Sequence, residues 1–288
     1  MSNRITTAES EKCRQPGVME NLGATLGGKL HDSPLRGWLK SVYHGLLNLQ
    51  TGGRGIVCSL PEGETVRVLP AYRHMSWNMH EYAAFKKALR PGGIALDVGA
   101  NAGGYALLFG QWAGSDGSVF AFEPAPETFA GLCRHIEMNA LGKIVIPVQA
   151  AASDISATAE FRAIGSHGMN RLVTSAEDAG GQSSIVEVPT VTLDEFCARE
   201  NILPDLIKID VEGFELAVLR GARETIKACG QRLSLFVELH PTTWREIGIS
   251  KEEVIAELDR QGLEAVPLRE HEDMWAVEGE CMRIRVRQ

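Results

Sequence analysis

No apolar run in this 288-residue chain approaches the roughly 20 residues a helix needs to cross a bilayer. Met1 to Lys12 is polar and of mixed charge, without the apolar core of a secretory signal. Lysine and arginine form no run, and the formal net charge is −8, which argues against a nucleic-acid-binding surface. Cysteine is sparse and scattered: Cys13, Cys58, Cys133, Cys197, Cys229 and Cys281 contain no C-x-x-C pair. That spacing speaks against a metal or disulfide framework and for free thiols in a reducing compartment. No internal repeat is present. These absences predict a soluble, cytoplasmic chain with neither nucleic acid nor membrane as partner. It is long enough to bury a full α/β core.

What is present begins with a polar, glycine-dotted segment. Residues 1–31 lack apolar periodicity and are expected to be poorly ordered. Asp32-Ser33-Pro34 reads as a helix start, and Leu35, Trp38, Leu39, Val42, Leu46 and Leu47 share one helical face up to Gly52-Gly53. Its polar face is not rich in Lys and Arg, so the apolar face is a packing or interface surface, which leaves a homo-oligomer open. Gly55–Leu60 and Thr65–Leu69 alternate around Pro61-Glu62-Gly63-Glu64, as a hairpin does. From Asn78 onward helices and strands alternate, the pattern of a mostly parallel sheet covered on both faces. The expected strands are Ile94–Val98, Ser118–Phe122, Ile144–Gln149, Leu206–Ile209 and Leu233–Leu239, followed by Leu263–Leu268, Met274–Val277 and Met282–Val286. Two alternating runs, Thr158–Phe161 and Ile185–Val188, flank a Gly/Ser-rich segment, Gly165–Ser184. That segment is too long for a plain connection.

The most informative stretch is Ile94-Ala95-Leu96-Asp97-Val98-Gly99-Ala100-Asn101-Ala102-Gly103-Gly104. A buried strand turns tightly into a helix whose backbone N–H groups face a ligand. The next strand ends in Glu123, where nucleotide-binding sheets hold a ribose diol. Asp97 selects among adenosine cofactors. A carboxylate just before the first glycine repels a pyrophosphate but favours the sulfonium and ammonium of S-adenosylmethionine. Asn101 stands at the middle glycine's place and tolerates left-handed backbone.

Ligands in open α/β sheets sit beyond the carboxyl ends of the strands. This sequence places Asp97, Glu123, Ser153, Asp154, Asp210, Glu212, Glu238 and His240 there. Asp97, Gly99, Asn101 and Gly103 are expected to line the methionine part and the turn, with Asp210 beside them. Glu123 would take the ribose, and Ser153 or Asp154 the adenine. If the acceptor is a hydroxyl, a base must remove its proton. His240 is the first candidate as a neutral imidazole, with Glu238 to orient it and Asp210 or Glu238 as substitutes. Glu212, His167 and Asn170 are the expected acceptor contacts, and Trp77 and Trp244 hint at a ring-shaped acceptor. Lys208, a charge in an apolar strand, needs a carboxylate partner such as Glu238. Asp210, Glu212, Glu238 and His240 also form the donor set of an oxygen-rich Mg²⁺ site. No ligand spacing demands one, so no metal ligand is assigned.

Leu206-Ile207-Lys208-Ile209-Asp210-Val211-Glu212-Gly213-Phe214-Glu215, followed by Val218-Leu219-Arg220-Gly221-Ala222, closely resembles the signature of FkbM-type methyltransferases. Leu96–Gly103, Phe122-Glu123-Pro124, Ala151-Ala152-Ser153-Asp154, Val191-Thr192-Leu193-Asp194 and Val237-Glu238-Leu239-His240 resemble that family's other motifs, in its order. The likeness covers about residues 78–250. It implies a doubly wound, mostly parallel, seven-stranded Rossmann-like sheet of the class I S-adenosylmethionine-dependent type. It also implies O-methylation of a small hydroxylated acceptor such as a sugar or secondary metabolite. The expected division is 1–31 N-terminal segment, 32–77 helix and hairpin extension, and 78–288 methyltransferase domain with an inserted hairpin. Two other functions fit the residues less well. A NAD-dependent oxidoreductase shares the glycine spacing and Glu123, but Asp97 and the lack of a Tyr-x-x-x-Lys pair oppose it. A non-catalytic nucleotide-binding scaffold does not account for the rim acids.

Overall fold

Apolar runs that end in acids become the centre of one sheet. The computed structural model describes residues 10–12, 45, 51–163, 171–172, 184–271 and 273–287, in two units that meet between Asn78 and Met79. In the first unit β1 (Ser10–Lys12) pairs antiparallel with β4 (Ser76–Asn78), so the segment expected to lack order carries a short strand. The expected hairpin is formed by β2 (Ile56–Ser59) and β3 (Thr65–Val68). Val66, Val68 and Cys58 are buried on one side of it, as alternation requires. Cys58 is disulfide-bonded, whereas Cys133, Cys197, Cys229 and Cys281 are free. The expectation of unpaired thiols therefore fails at Cys58, because scattered spacing says nothing about which cysteines the fold brings together. The expected helix over 35–47 lies outside the described residues apart from Gly45.

The second unit opens with α1 (Met79–Ala88) and then alternates. β5 (Ile94–Val98) leads to α2 (Gly104–Ala113), β6 (Ser118–Phe122) to α3 (Pro126–Met138), then β7 (Val145–Val148) and β8 (Ala151–Ala152). An inserted antiparallel sheet follows: β9 (Ala157–Ala163), β10 (Arg171–Leu172) and β11 (Ser184–Val191), with β9 between the other two. β11 also runs parallel to β8, which ties the insertion to the main unit. Next come α4 (Leu193–Glu200), β12 (Leu206–Ile209), α5 (Glu215–Arg220), α6 (Arg223–Cys229), β13 (Ser234–Leu239), α7 (Pro241–Glu246) and α8 (Lys251–Arg260). β14 (Leu263–Pro267) and β15 (Glu280–Val286) close the chain. Met274–Val277, expected as a strand, is instead a 3-10 turn at Met274–Ala276, started by Asp273 accepting from the Trp275 N–H. An Asx-type cap of this kind competes with strand pairing.

The seven-stranded sheet has the order β7-β6-β5-β12-β13-β15-β14. The central pairs β6–β7, β5–β6, β12–β5 and β12–β13 are parallel, and β15 is antiparallel to both its neighbours. Every residue of β12 is buried, as in a strand covered on both faces. The order reverses between β5 and β12, and such a reversal opens the ligand crevice of an open α/β sheet. At its floor the two strand ends touch. Gly99 has φ +84°, and a Cβ there would lie 1.7 Å from the Asp210 carbonyl oxygen.

Gly99→Ala is therefore expected to cost more than about 3 kcal/mol, the left-handed penalty plus a clash of backbone with side chain. Gly114 also has positive φ but nothing within 4 Å of its would-be Cβ, so Gly114→Ala should cost only about 1–2 kcal/mol. Urea unfolding of the two variants checks this. Similar losses would show that the crevice floor is not tight.

Candidate active site

The turn after β5 is built by its own residues. Asn101 sits at φ +49° and its Oδ1 accepts from the Ala102 N–H at 2.7 Å, which fixes the left-handed bend locally. Gly103, at φ +90°, precedes the first turn of α2. The fully buried His135 of α3 donates from Nδ1 to the Ala102 carbonyl at 2.7 Å. Burial keeps that imidazole below its ordinary pKa, so it serves as a neutral strut that sequence reasoning missed.

A pocket opens over this turn. Gly99, Asn101, Glu123, Asp210, Glu212 and Phe214 line it, with Phe161 of the inserted hairpin. Glu123 is buried, and its Oε1 accepts from the Ala125 N–H at 2.8 Å. Burial pushes its carboxyl up to about 7, against the pull of the Ala125 and Asn101 N–H groups. Ser153 and Asp154 are not among the lining residues; Ser153 is buried and bonds the exposed Asp154 at 3.3 Å. The aromatic residues at the pocket are Phe122, Phe161 and Phe214, whereas Trp77 and Trp244 are 1% exposed and belong to the interior. His167 and Asn170 lie outside the described residues.

Behind the pocket wall, Asp97 is 1% exposed and neither carboxylate oxygen makes a hydrogen bond of ordinary geometry. Lys208 Nζ lies 3.8 Å from its Oδ1, and burial still pushes the carboxyl up to about 6. Lys208 donates to Asp210 Oδ2 at 2.9 Å. Its partner is thus Asp210, with Asp97 beside it, and not Glu238. The ammonium also sits 5.4 Å from the centre of the Tyr105 ring, and the Tyr105 hydroxyl donates to the buried Glu81 at 2.7 Å. Glu81 was invisible to motif reading because an acid in a helix's first turn is usually a surface residue.

The third group surrounds His240, at the end of β13. Its Nδ1 bonds Glu215 Oε1 at 2.7 Å. Glu215 is completely buried and also accepts from Gly213 N–H at 2.9 Å and Trp244 Nε1 at 2.6 Å. The residue that orients the imidazole is therefore Glu215, not Glu238, whose Oε1 is 3.8 Å from Nε2. His240 Nε2 faces Glu212 Oε2 at 3.5 Å and Asp210 Oδ1 at 3.8 Å. Burial works against its charge, but the bond to Glu215 and the charges of Glu215, Asp210 and Glu212 outweigh it and push the imidazole up to about 10. These carboxylates thus work against the neutral imidazole that the base role requires. Burial opposes the charge of Asp210 too, yet Lys208 and His240 hold it below the usual range. Burial and the neighbouring Asp210 drive Glu238 well above it. Glu212, which partly faces the pocket, rises to about 7 by burial.

Other motif residues turn out to hold the scaffold. Asp194 accepts from Glu224 N–H at 3.1 Å and Thr225 N–H at 2.7 Å, capping α6. A Cβ on Gly221 would lie 2.0 Å from the Ser153 carbonyl, so those two motifs meet backbone to backbone.

The sheet order, the glycine turn at its switch point and the acids around it define a class I methyltransferase arrangement. The profile of the methyltransferase FkbM domain matches residues 97–265, and the chain belongs to that family. It is 30% identical over 150 residues to hexuronic acid methyltransferase AglP of Haloferax volcanii, a match covering 51% of this chain and 56% of that protein. It is 29% identical over 199 residues to 31-O-demethyl-FK506 methyltransferase FkbM of Streptomyces tacrolimicus, covering 57% and 75%. Methyltransferase FkbM from Methylobacillus flagellatus KT aligns at 18% identity over 71% of this chain and 50% of its own, with a TM-score of 0.43.

Glu215→Gln should bring the His240 pKa down from about 10 toward the ordinary imidazole range, read by NMR titration of the ring protons. Glu215→Ala, which strands three buried donors, should also cost about 3–5 kcal/mol of stability. An unmoved His240 titration in Glu215→Gln would show that Glu215 does not set its charge.

Proposed function

We propose that this protein is an S-adenosylmethionine-dependent methyltransferase acting on a hydroxyl of a small acceptor, a sugar or secondary metabolite. The observation that carries this reading is the pair of deeply buried acids, Asp97 and Glu123, at the strand–turn–helix of a chain of this family. Asp97, behind the pocket wall and beside Lys208, keeps both oxygens without a hydrogen bond of ordinary geometry, and supports the reading as an acid under the turn. Glu123 lines the pocket with its Oε1 on the Ala125 N–H, a carboxylate placed for a ribose diol. Those residues fit the cofactor. The relatives whose names specify an acceptor, a hexuronic acid and 31-O-demethyl-FK506, agree with a hydroxylated small molecule.

When bound, S-adenosylmethionine supplies an electrophilic methyl on a sulfonium. The acceptor oxygen would take that methyl, and its hydroxyl proton would pass to one of the carboxylates at the acceptor end of the pocket, Asp210 or Glu212. The chain's part is alignment and exclusion of water. Gly99, Asn101 and Gly103 shape the turn, and Phe161 and Phe214 give apolar walls. Asp210, Glu212 and His240 form the acceptor end, where the hydroxyl proton is polarised and lost.

Three measurements test this. Glu123→Ala should weaken S-adenosylhomocysteine binding about tenfold or more and leave a 2′,3′-dideoxy analogue nearly unaffected. A diol donates to the ionised carboxylate, and burial pushes the Glu123 carboxyl up to about 7. Affinity should therefore rise from about pH 6 to about pH 8 and flatten in Glu123→Gln. His240→Ala should lower kcat by about tenfold or more, because it removes a group that holds Asp210 ionised at the acceptor end, with cofactor affinity nearly intact. Binding of NAD⁺ without S-adenosylhomocysteine would overturn the cofactor assignment.

A further inference from the structure

The acceptor end carries a feature that methyl transfer alone does not require. His240 is 5% exposed, and its ring is fixed from behind by Glu215 at Nδ1. Its Nε2 makes no hydrogen bond among the described residues and points between Asp210 Oδ1 and Glu212 Oε2, at 3.8 and 3.5 Å. Donor atoms of these three residues all lie within 4.8 Å of one another. Two donors on one octahedral ion, each about 2.1 Å from it, stand roughly 3.0 Å apart when adjacent and about 4.2 Å when opposite. The observed spacings fall in that interval and exceed those of good hydrogen bonds.

Each donor is also prepared by a second contact. Lys208 occupies Asp210 Oδ2 and leaves Oδ1 facing the imidazole. Glu215 receives His240 Nδ1, the carboxylate–histidine arrangement that aims a ligating nitrogen. Glu212 is held at φ +50°, directly before Gly213, whose N–H is also bound by Glu215. Glu238 stands outside the set although its Oε1 is 3.8 Å from Nε2. Asp210 and Glu212 line the pocket, so the position is open on one side.

We propose that Asp210, Glu212 and His240 form a divalent-cation site of the Mn²⁺ or Mg²⁺ kind at the acceptor end of the pocket. Three protein ligands leave about three positions on an octahedral ion. Two neighbouring hydroxyls of the acceptor fit two of them, which names a vicinal diol as the substrate class. The ion holds both oxygens in place and draws charge from them. This rests on the methyltransferase reading for its acceptor, but not for the ion itself.

The test is calorimetric titration of the full chain with Mn²⁺ alone and, separately, with S-adenosylhomocysteine. One Mn²⁺ per chain is expected, weakened at least tenfold by Glu212→Gln and by His240→Ala. Glu238→Gln should stay within threefold of the wild type. Glu212 is partly exposed, so its variant keeps the test decisive should His240→Ala fail to fold. No Mn²⁺ binding by the wild type, equal binding by Glu212→Gln, or a tenfold loss in Glu238→Gln overturns the site. Homocysteine-cofactor binding without Mn²⁺ removes this proposal and spares the methyltransferase reading. Mn²⁺ binding without the cofactor does the reverse.

Discussion

A single buried ammonium holds the carboxyl end of the central strands together. Lys208 sits mid-strand in β12, paired in register with Asp97 on β5 and Phe236 on β13. Its Nζ reaches Asp210 at 2.9 Å and Asp97 at 3.8 Å and lies over Tyr105, which in turn binds Glu81. An unpaired charge at such a depth would cost several kcal/mol. Among the acids, Asp210 keeps its charge because Lys208 and His240 outweigh its burial, while Glu81, Asp97 and Glu238 are all driven upward by burial. The crevice therefore holds more carboxyl groups than its cations neutralise. That imbalance is stable only as long as several of the acids carry protons or a positive ligand arrives.

The backbone at the end of β12 is constrained as well. Asp210 carbonyl leaves no room for a side chain on Gly99, Glu212 stands in left-handed backbone, and Gly213 follows at φ +105°. Strain of this kind persists where the surroundings overdetermine it. Glu215 supplies that determination by binding the Gly213 N–H, the His240 ring and the Trp244 indole together. One carboxylate thus couples the turn after β12 to the end of β13.

Much of the sheet was legible because buried parallel strands read as unbroken apolar runs, and an acid at the end of each run marks the rim. Glu123, Asp210 and Glu212 were read that way, and Gly99 and Asn101 from the glycine turn, and these five line the pocket. Glu215 and Glu81 were not, because each occupies the first turn of a helix, where acids are ordinary; only three-dimensional packing reveals that both are buried. His135 was hidden within an amphipathic helix for the same reason. The surroundings of His240 were not legible, since they come from other elements, here a helix acid and two strand-end acids. The disulfide at Cys58 and the turn at Met274–Ala276 rest on tertiary partners and a local cap, neither of which periodicity registers.

The division of labour between motif residues follows from where they stand on the sheet. β6 and β7 extend from β5 in one direction and β12 and β13 in the other, so on the proposed function the switch point separates a cofactor side from an acceptor side. On the first side the turn presents backbone donors and one carboxylate, Glu123, suited to a neutral sugar. On the second side Asp210, Glu212 and His240 present an ionisable cluster, suited to a proton or a cation. Asp194 and Gly221 secure the helices behind them and touch neither side. Methyl transfer demands that donor and acceptor approach in line. A Gly99–Asp210 contact shorter than any side chain permits is what brings the two sides onto one floor.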